Sequence, residues 1–115
     1  MWQTLMNTGS DVNVLPRDLM TTLALNAKPS PIGTLRGFNG SDSPVLGTAV
    51  CQVQFGNEQP RQAEFLVIQD ANVPILGFPT MAEWGLVIDC GFATLRHDDG
   101  TLTMCQSVEA VPKNC

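Results

Sequence analysis

The sequence predicts a mostly β fold, closed or sandwich-like, with two small helices. Three observations carry this expectation. Apolar runs are short and are broken by Gly, Pro, Asn and Asp. Turn signals recur, strongest at Asp99-Gly100 and in the polar stretch Asn39-Gly40-Ser41-Asp42-Ser43-Pro44. Helical spacing is confined to two places, after Pro16 and after Pro79.

Taken in order, residues 2–6 read as a strand entering a loop at Asn7, and Val12-Asn13-Val14-Leu15 alternates as a second strand. Pro16 suits the first turn of a short helix reaching Leu25, with Leu19 and Leu23 on one face. Residues 26–33 hold two prolines and a glycine and read as loop. Thr34–Phe38 leads into a hairpin whose polar tip is expected to be exposed and mobile, and Val45–Phe55 is the returning strand. Gly56-Asn57 marks a turn, Ala63–Ile68 a strand, and Asp70-Ala71-Asn72 another turn. Val73-Pro74-Ile75-Leu76-Gly77 reads as a short apolar strand. A helix over Pro79–Trp84 follows, stopped by Gly85. Leu86-Val87-Ile88 reads as a buried strand, and Phe92–Arg96 and Thr101–Cys105 flank the Asp99-Gly100 turn. Residues 1–105 form the expected domain and 106–115 a loosely ordered tail.

The chain has 115 residues, enough for one domain. Charged residues make up 15% and hydrophobic ones 43%, a sparsely charged surface of the kind often covered in an oligomer. The net charge is −5 with scattered basic residues, which argues against nucleic acid. No apolar run reaches the ~20 residues that a membrane-spanning helix needs, and the first residues carry no secretory pattern. Cys51, Cys90, Cys105 and Cys115 lack metal-ligand spacing, and His97 is the only histidine, so no metal site is expected. They read as reduced thiols of a cytoplasmic protein, with Cys51 and Cys90 buried on strands.

The most informative stretch is Leu5-Met6-Asn7-Thr8-Gly9-Ser10-Asp11, followed by Val12-Asn13-Val14-Leu15-Pro16. Later come a glycine-rich hairpin, Ile75-Leu76-Gly77 before a short helix, and Gly85-Leu86-Val87-Ile88-Asp89. In this order the motifs resemble a retropepsin, the aspartic protease of retroviruses and of gypsy- or Pao-type LTR retrotransposons. The resemblance runs from about Leu5 to Leu95. It implies a retropepsin-like closed β-barrel that works as a homodimer. It also implies a peptide or polyprotein substrate, no cofactor, and a place in the cytoplasm or in virus-like particles. A dimer is implied by the chemistry as well. Peptide hydrolysis of this class uses two carboxylates around one water, and this chain carries one such loop.

The resemblance implies a role for each residue near the loop. Asn7 takes the catalytic aspartate position. Thr8 holds two loops in register across the dimer axis, and Gly9 lets substrate backbone lie against the loop. Asp11 contacts substrate main chain. Gly37, Phe38, Asn39 and Gly40 form a flap, and Ile75 and Leu76 line or buttress the cleft floor. A carboxamide at position 7 keeps the shape of an aspartate but is neither a useful base nor an acid at neutral pH. The expectation is an aspartic endopeptidase that is inactive as it stands. The alternatives are a non-catalytic peptide-binding or dimerisation module with the same fold, and an unrelated small β-barrel binding protein.

Ile88-Asp89-Cys90-Gly91 also reads apolar-Asp-x-Gly, but Cys90 is a poor hydrogen-bonder where a hydroxyl is wanted. Asp89 is expected to end a strand. His97 with Asp98-Asp99-Gly100 is read as a solvated hairpin tip and Trp84 as core. Trp2 is placed at a dimer edge. The chain departs from the family pattern twice. Six residues precede Asn7, so an N-terminal strand is expected to be missing. Pro79 stands where the family often has Asp or Asn, so a hydrogen bond bracing the loop is also expected to be missing.

Overall fold

The structure, a computed structural model, describes residues 3–37, 40–55, 58–100 and 102–104. Among the described residues strands dominate, with two helices of six residues each. The chain divides into two compact units, Met1–Glu83 and Trp84–Cys115.

The first unit is built on one six-stranded sheet. Its strands are β1 (Leu5–Asn7), β2 (Val14–Pro16), β3 (Thr34–Arg36), β4 (Asp42–Val53), β5 (Arg61–Ile68) and β6 (Ile75–Gly77), in spatial order β1-β6-β2-β5-β4-β3. β1 pairs with β6 in parallel, with Asn7 opposite Gly77, and β2 pairs with β5 in parallel. β4 and β5 form the long antiparallel hairpin.

β5 shows how sequence follows position. Its first half alternates between half-buried and exposed residues, whereas Phe65, Leu66, Val67 and Ile68 are all buried. Alternation is expected where one face meets water, and a continuous apolar run where both faces are covered. The change comes where β2 joins β5 on its second edge, from Val14 opposite Leu66 onward. Val14, Leu66 and Ile68 form a buried cluster, with Val12, Leu35, Val45, Ala71 and Ile75 packed against it.

Helix α1 spans Arg17–Thr22, shorter than the expected reach to Leu25. Its end has a clear cause. Ala24 is left-handed, with φ 55°. Its N–H donates to the Thr21 carbonyl, and the Leu25 N–H donates back to Met20 at 3.0 Å. These two bonds make a Schellman cap, a site usually held by glycine. Pro16 closes β2 and serves as the extended N-cap instead of entering the helix. Helix α2 spans Phe78–Glu83 and buries Met81.

The 26–33 loop is strapped to β4 by paired bonds, Lys28 N–H to the Thr48 carbonyl at 2.7 Å and the reverse at 2.8 Å. A Cβ on Gly47 would lie 2.5 Å from the Lys28 carbonyl, so glycine is required at this crossing. β4 begins at Asp42, which places Asp42, Ser43 and Pro44 in the strand and not in the hairpin tip.

The second unit contains a three-stranded antiparallel sheet of β7 (Val87–Asp89), β8 (Thr94–Arg96) and β9 (Leu102–Met104), in that order. The β7–β8 turn begins with Cys90, which is exposed and lies off the strand. This corrects the expectation of a buried strand cysteine. Cys51 does lie on β4 but is only half-buried. Asp89 ends β7, and its carboxylate accepts the Phe92 N–H at 3.2 Å, a turn-forming role. His97 is buried, not solvated, and its Nε2 lies 2.8 Å from Thr103 Oγ1. Residues 106–115, Cys105 and Trp2 lie outside the described residues.

Candidate active site

β1 is three residues long and delivers Asn7 at its last position. The chain then turns through Thr8 and Gly9, both exposed. Asn7 Oδ1 accepts the Gly9 N–H at 2.9 Å, and the Asn7 carbonyl accepts the Ser10 N–H at 3.1 Å. Because a backbone N–H can only donate, the first bond fixes the amide's orientation. The Asn7 oxygen faces its own turn. Ser10 Oγ donates to the Val12 carbonyl at 2.7 Å, which closes the loop's far side.

Gly77 is the contact point beneath this loop. A Cβ there would lie 2.4 Å from the Val12 carbonyl oxygen and 3.0 Å from that of Ser10. Only glycine permits so close an approach. The Phe78 N–H donates to the Ser10 carbonyl at 2.8 Å, tying the start of α2 to the loop.

Pro79 carries no hydrogen-bonding side chain, and the side-chain bonds to its neighbours Gly77 and Thr80 come from Asn13. Asn13 is 8% exposed and uses its whole carboxamide. Its Oδ1 accepts the Gly77 N–H at 2.7 Å. Its Nδ2 donates to the Glu64 carbonyl at 2.9 Å and to Thr80 Oγ1 at 2.7 Å. Asn13 and Thr80 escaped the sequence reading. The signal that could have found them is a lone amide at an inward position of an otherwise apolar strand, since a buried amide needs partners.

The other candidate residues fall as follows. Asp11 is exposed four residues beyond Asn7. Ile75 is half-buried and Leu76 is buried at 1% exposure. Gly37 and Gly40 lie at the tip of the β3–β4 hairpin, joined by a 3.0 Å bond from the Gly40 N–H to the Gly37 carbonyl. Phe38 and Asn39 lie outside the described residues. A cavity of about 230 Å³ opens beside the loop, lined by Asp11, Asn13, Ile32, Glu64, Pro79 and Thr80 among others. Among the described residues, no group of three or more His, Cys, Asp or Glu side chains is placed to hold a metal ion.

The architecture around this loop has counterparts among solved structures. The retroviral protease-like domain of Ddi1 from Leishmania major superposes with a TM-score of 0.67 over 89% of this chain and 82% of that domain, at 13% identity. EIAV protease, solved in complex with the inhibitor HBY-793, superposes with a TM-score of 0.57 over 71% of this chain and 75% of its own, at 23% identity. The fold is retropepsin-like. No protein-family model matches the sequence, and no curated protein matches it. The likeness lies in the backbone arrangement, at 13% and 23% identity.

Proposed function

We propose that the chain is the protease domain of a retroelement polyprotein, an aspartic endopeptidase by descent, homodimeric and silenced by Asn7. The observation that carries this reading is the Asn7-Thr8-Gly9 turn, seated on Gly77 at the end of a parallel strand pair inside a retropepsin-like fold. A carboxylate placed there and doubled by a second copy would be a dyad of the kind that shares one proton and activates water. With amides at both positions, water is hydrogen-bonded but not deprotonated. Loss of general base catalysis alone is worth ~10² to 10⁴ in rate.

The test compares this chain with Asn7→Asp on a mixed library of extended peptides with apolar residues at the cut. The variant is expected to cleave at acidic to neutral pH and the chain itself to show no turnover. Equal rates would remove the role given to residue 7, and a variant with no activity would remove the protease reading.

A second reading has support in the same turn. The bond from the Gly9 N–H to Asn7 Oδ1 keeps the loop formed without a carboxylate. A peptide-binding or dimerisation module could therefore retain this loop without its chemistry. Capture of an uncut peptide by the chain, with no cleavage by Asn7→Asp, would favour the module.

A further inference from the structure

We infer that Asn13 is a positioning residue for position 7, acting through Gly77, with Thr80 as its anchor. The path has a single intermediate. Asn13 Oδ1 holds the Gly77 N–H at 2.7 Å, and Gly77 is the register partner of Asn7 in the parallel β1–β6 pair. Gly77 is also the residue on which the Ser10 and Val12 carbonyls rest. A shift of Gly77 therefore moves the strand that carries residue 7 and the loop that follows it.

The donors and acceptors call for a primary amide at position 13. Oδ1 faces a backbone N–H, so it must accept. Nδ2 faces the Glu64 carbonyl, so it must donate, and its second proton goes to Thr80 Oγ1. Aspartate could accept from Gly77 but would set a second oxygen against the Glu64 carbonyl. Serine is too short to span three partners. The Asn13 carbonyl accepts the Leu66 N–H at 2.8 Å, which fixes the backbone from which the amide reaches. Asn13 thus ties β2 to β5, β6 and α2 by hydrogen bonds at one buried point.

In a hydrolase, a misplacement of about 1 Å far from the chemistry can lower turnover about 10²-fold. This consequence rests on the protease reading, but the positioning itself does not. The experiment therefore has two arms. In the chain as it stands, Thr80→Val and Asn13→Ala are followed by amide NMR and thermal melting. The positioning role predicts that the Gly9, Ser10 and Gly77 amide resonances shift in folded Thr80→Val, and that Thr80→Ser restores them. In the Asn7→Asp background, Thr80→Val is expected to lower kcat at least tenfold while KM changes less than threefold, again with rescue by Thr80→Ser. If Asn13→Ala does not fold, Thr80→Val still decides the matter. Unshifted Gly9 and Ser10 amides in folded Thr80→Val would overturn the inference. So would a kcat equal to that of Asn7→Asp alone. Should Asn7→Asp prove inactive, the protease reading fails, and the resonances still decide for or against positioning.

Discussion

Asn7 and Asn13 are the same side chain six residues apart, with opposite tolerance for a carboxylate. At position 7 only the oxygen is held, by the Gly9 N–H, and that bond survives in an aspartate. At position 13 the nitrogen is committed twice, so the same exchange removes two donors from a buried site. The cysteines show a similar dependence on surroundings. Burial pushes the Cys51 thiol above its ordinary value of 9.0, while a backbone bond to Gln52 partly opposes the shift. Cys90 is exposed in a turn. A maleimide reagent near neutral pH is expected to modify Cys90 well before Cys51, as read by peptide mapping. The sign of the stability effect follows from the same shift. The folded state holds the Cys51 proton more tightly than the unfolded state does. This contribution is therefore constant below pH 9 and turns against the folded state as pH rises past it. The loop at 7–9 was legible in the sequence because its pattern is local. The amide at 13 was not, because its partners lie 51, 64 and 67 residues away.

At the level of elements, most strands were legible and their limits were not. Alternation and turn residues announced β4, β5 and the hairpin around Asp99-Gly100. The start of β4 at Asp42 depends on pairing with β3, Arg36 opposite Asp42, which no local signal carries. Their side chains also form an exposed ion pair at 3.1 Å. The end of α1 was hidden for another reason. A Schellman cap normally advertises itself by glycine, and here Ala24 takes the left-handed position. Alanine in that conformation is disfavoured by roughly 1–2 kcal/mol. Ala24→Gly is therefore expected to stabilise the first unit. The gain should be no more than about 1 kcal/mol, because glycine also loses more chain entropy on folding. Urea unfolding at constant m-value measures it, and a loss of stability would contradict the cap assigned here.

At the scale of the whole molecule, the proposed chemistry turns on pairing. One chain supplies one residue 7, and the proposed chemistry needs two. Sedimentation of the chain is expected to show a dimer whose strength changes little with pH at position 7, because amides do not titrate. In Asn7→Asp, two carboxylates would face each other across the pair and repel once both ionise. Its dimer is expected to weaken toward alkaline pH relative to the parent chain. A chain monomeric at high concentration, or an Asn7→Asp dimer insensitive to pH, would contradict the arrangement.

The turn at Asn7 has one more consequence, which concerns the kind of molecule a paired site would hold. The Asn7 oxygen is turned inward to the Gly9 amide, so in a pair each residue 7 would leave its NH₂ end for a guest. Two such ends offer protons and lack the charge of a carboxylate pair. A carboxylate pair favours alcohols and gem-diols, whose hydrogens it can accept. A floor of paired NH₂ tips favours lone pairs instead, and so an intact amide carbonyl over a hydroxyl mimic of the hydrated bond. The single-atom exchange at position 7 would then invert the ranking of guests, turning a site shaped for a reaction's midpoint into one that prefers its starting material.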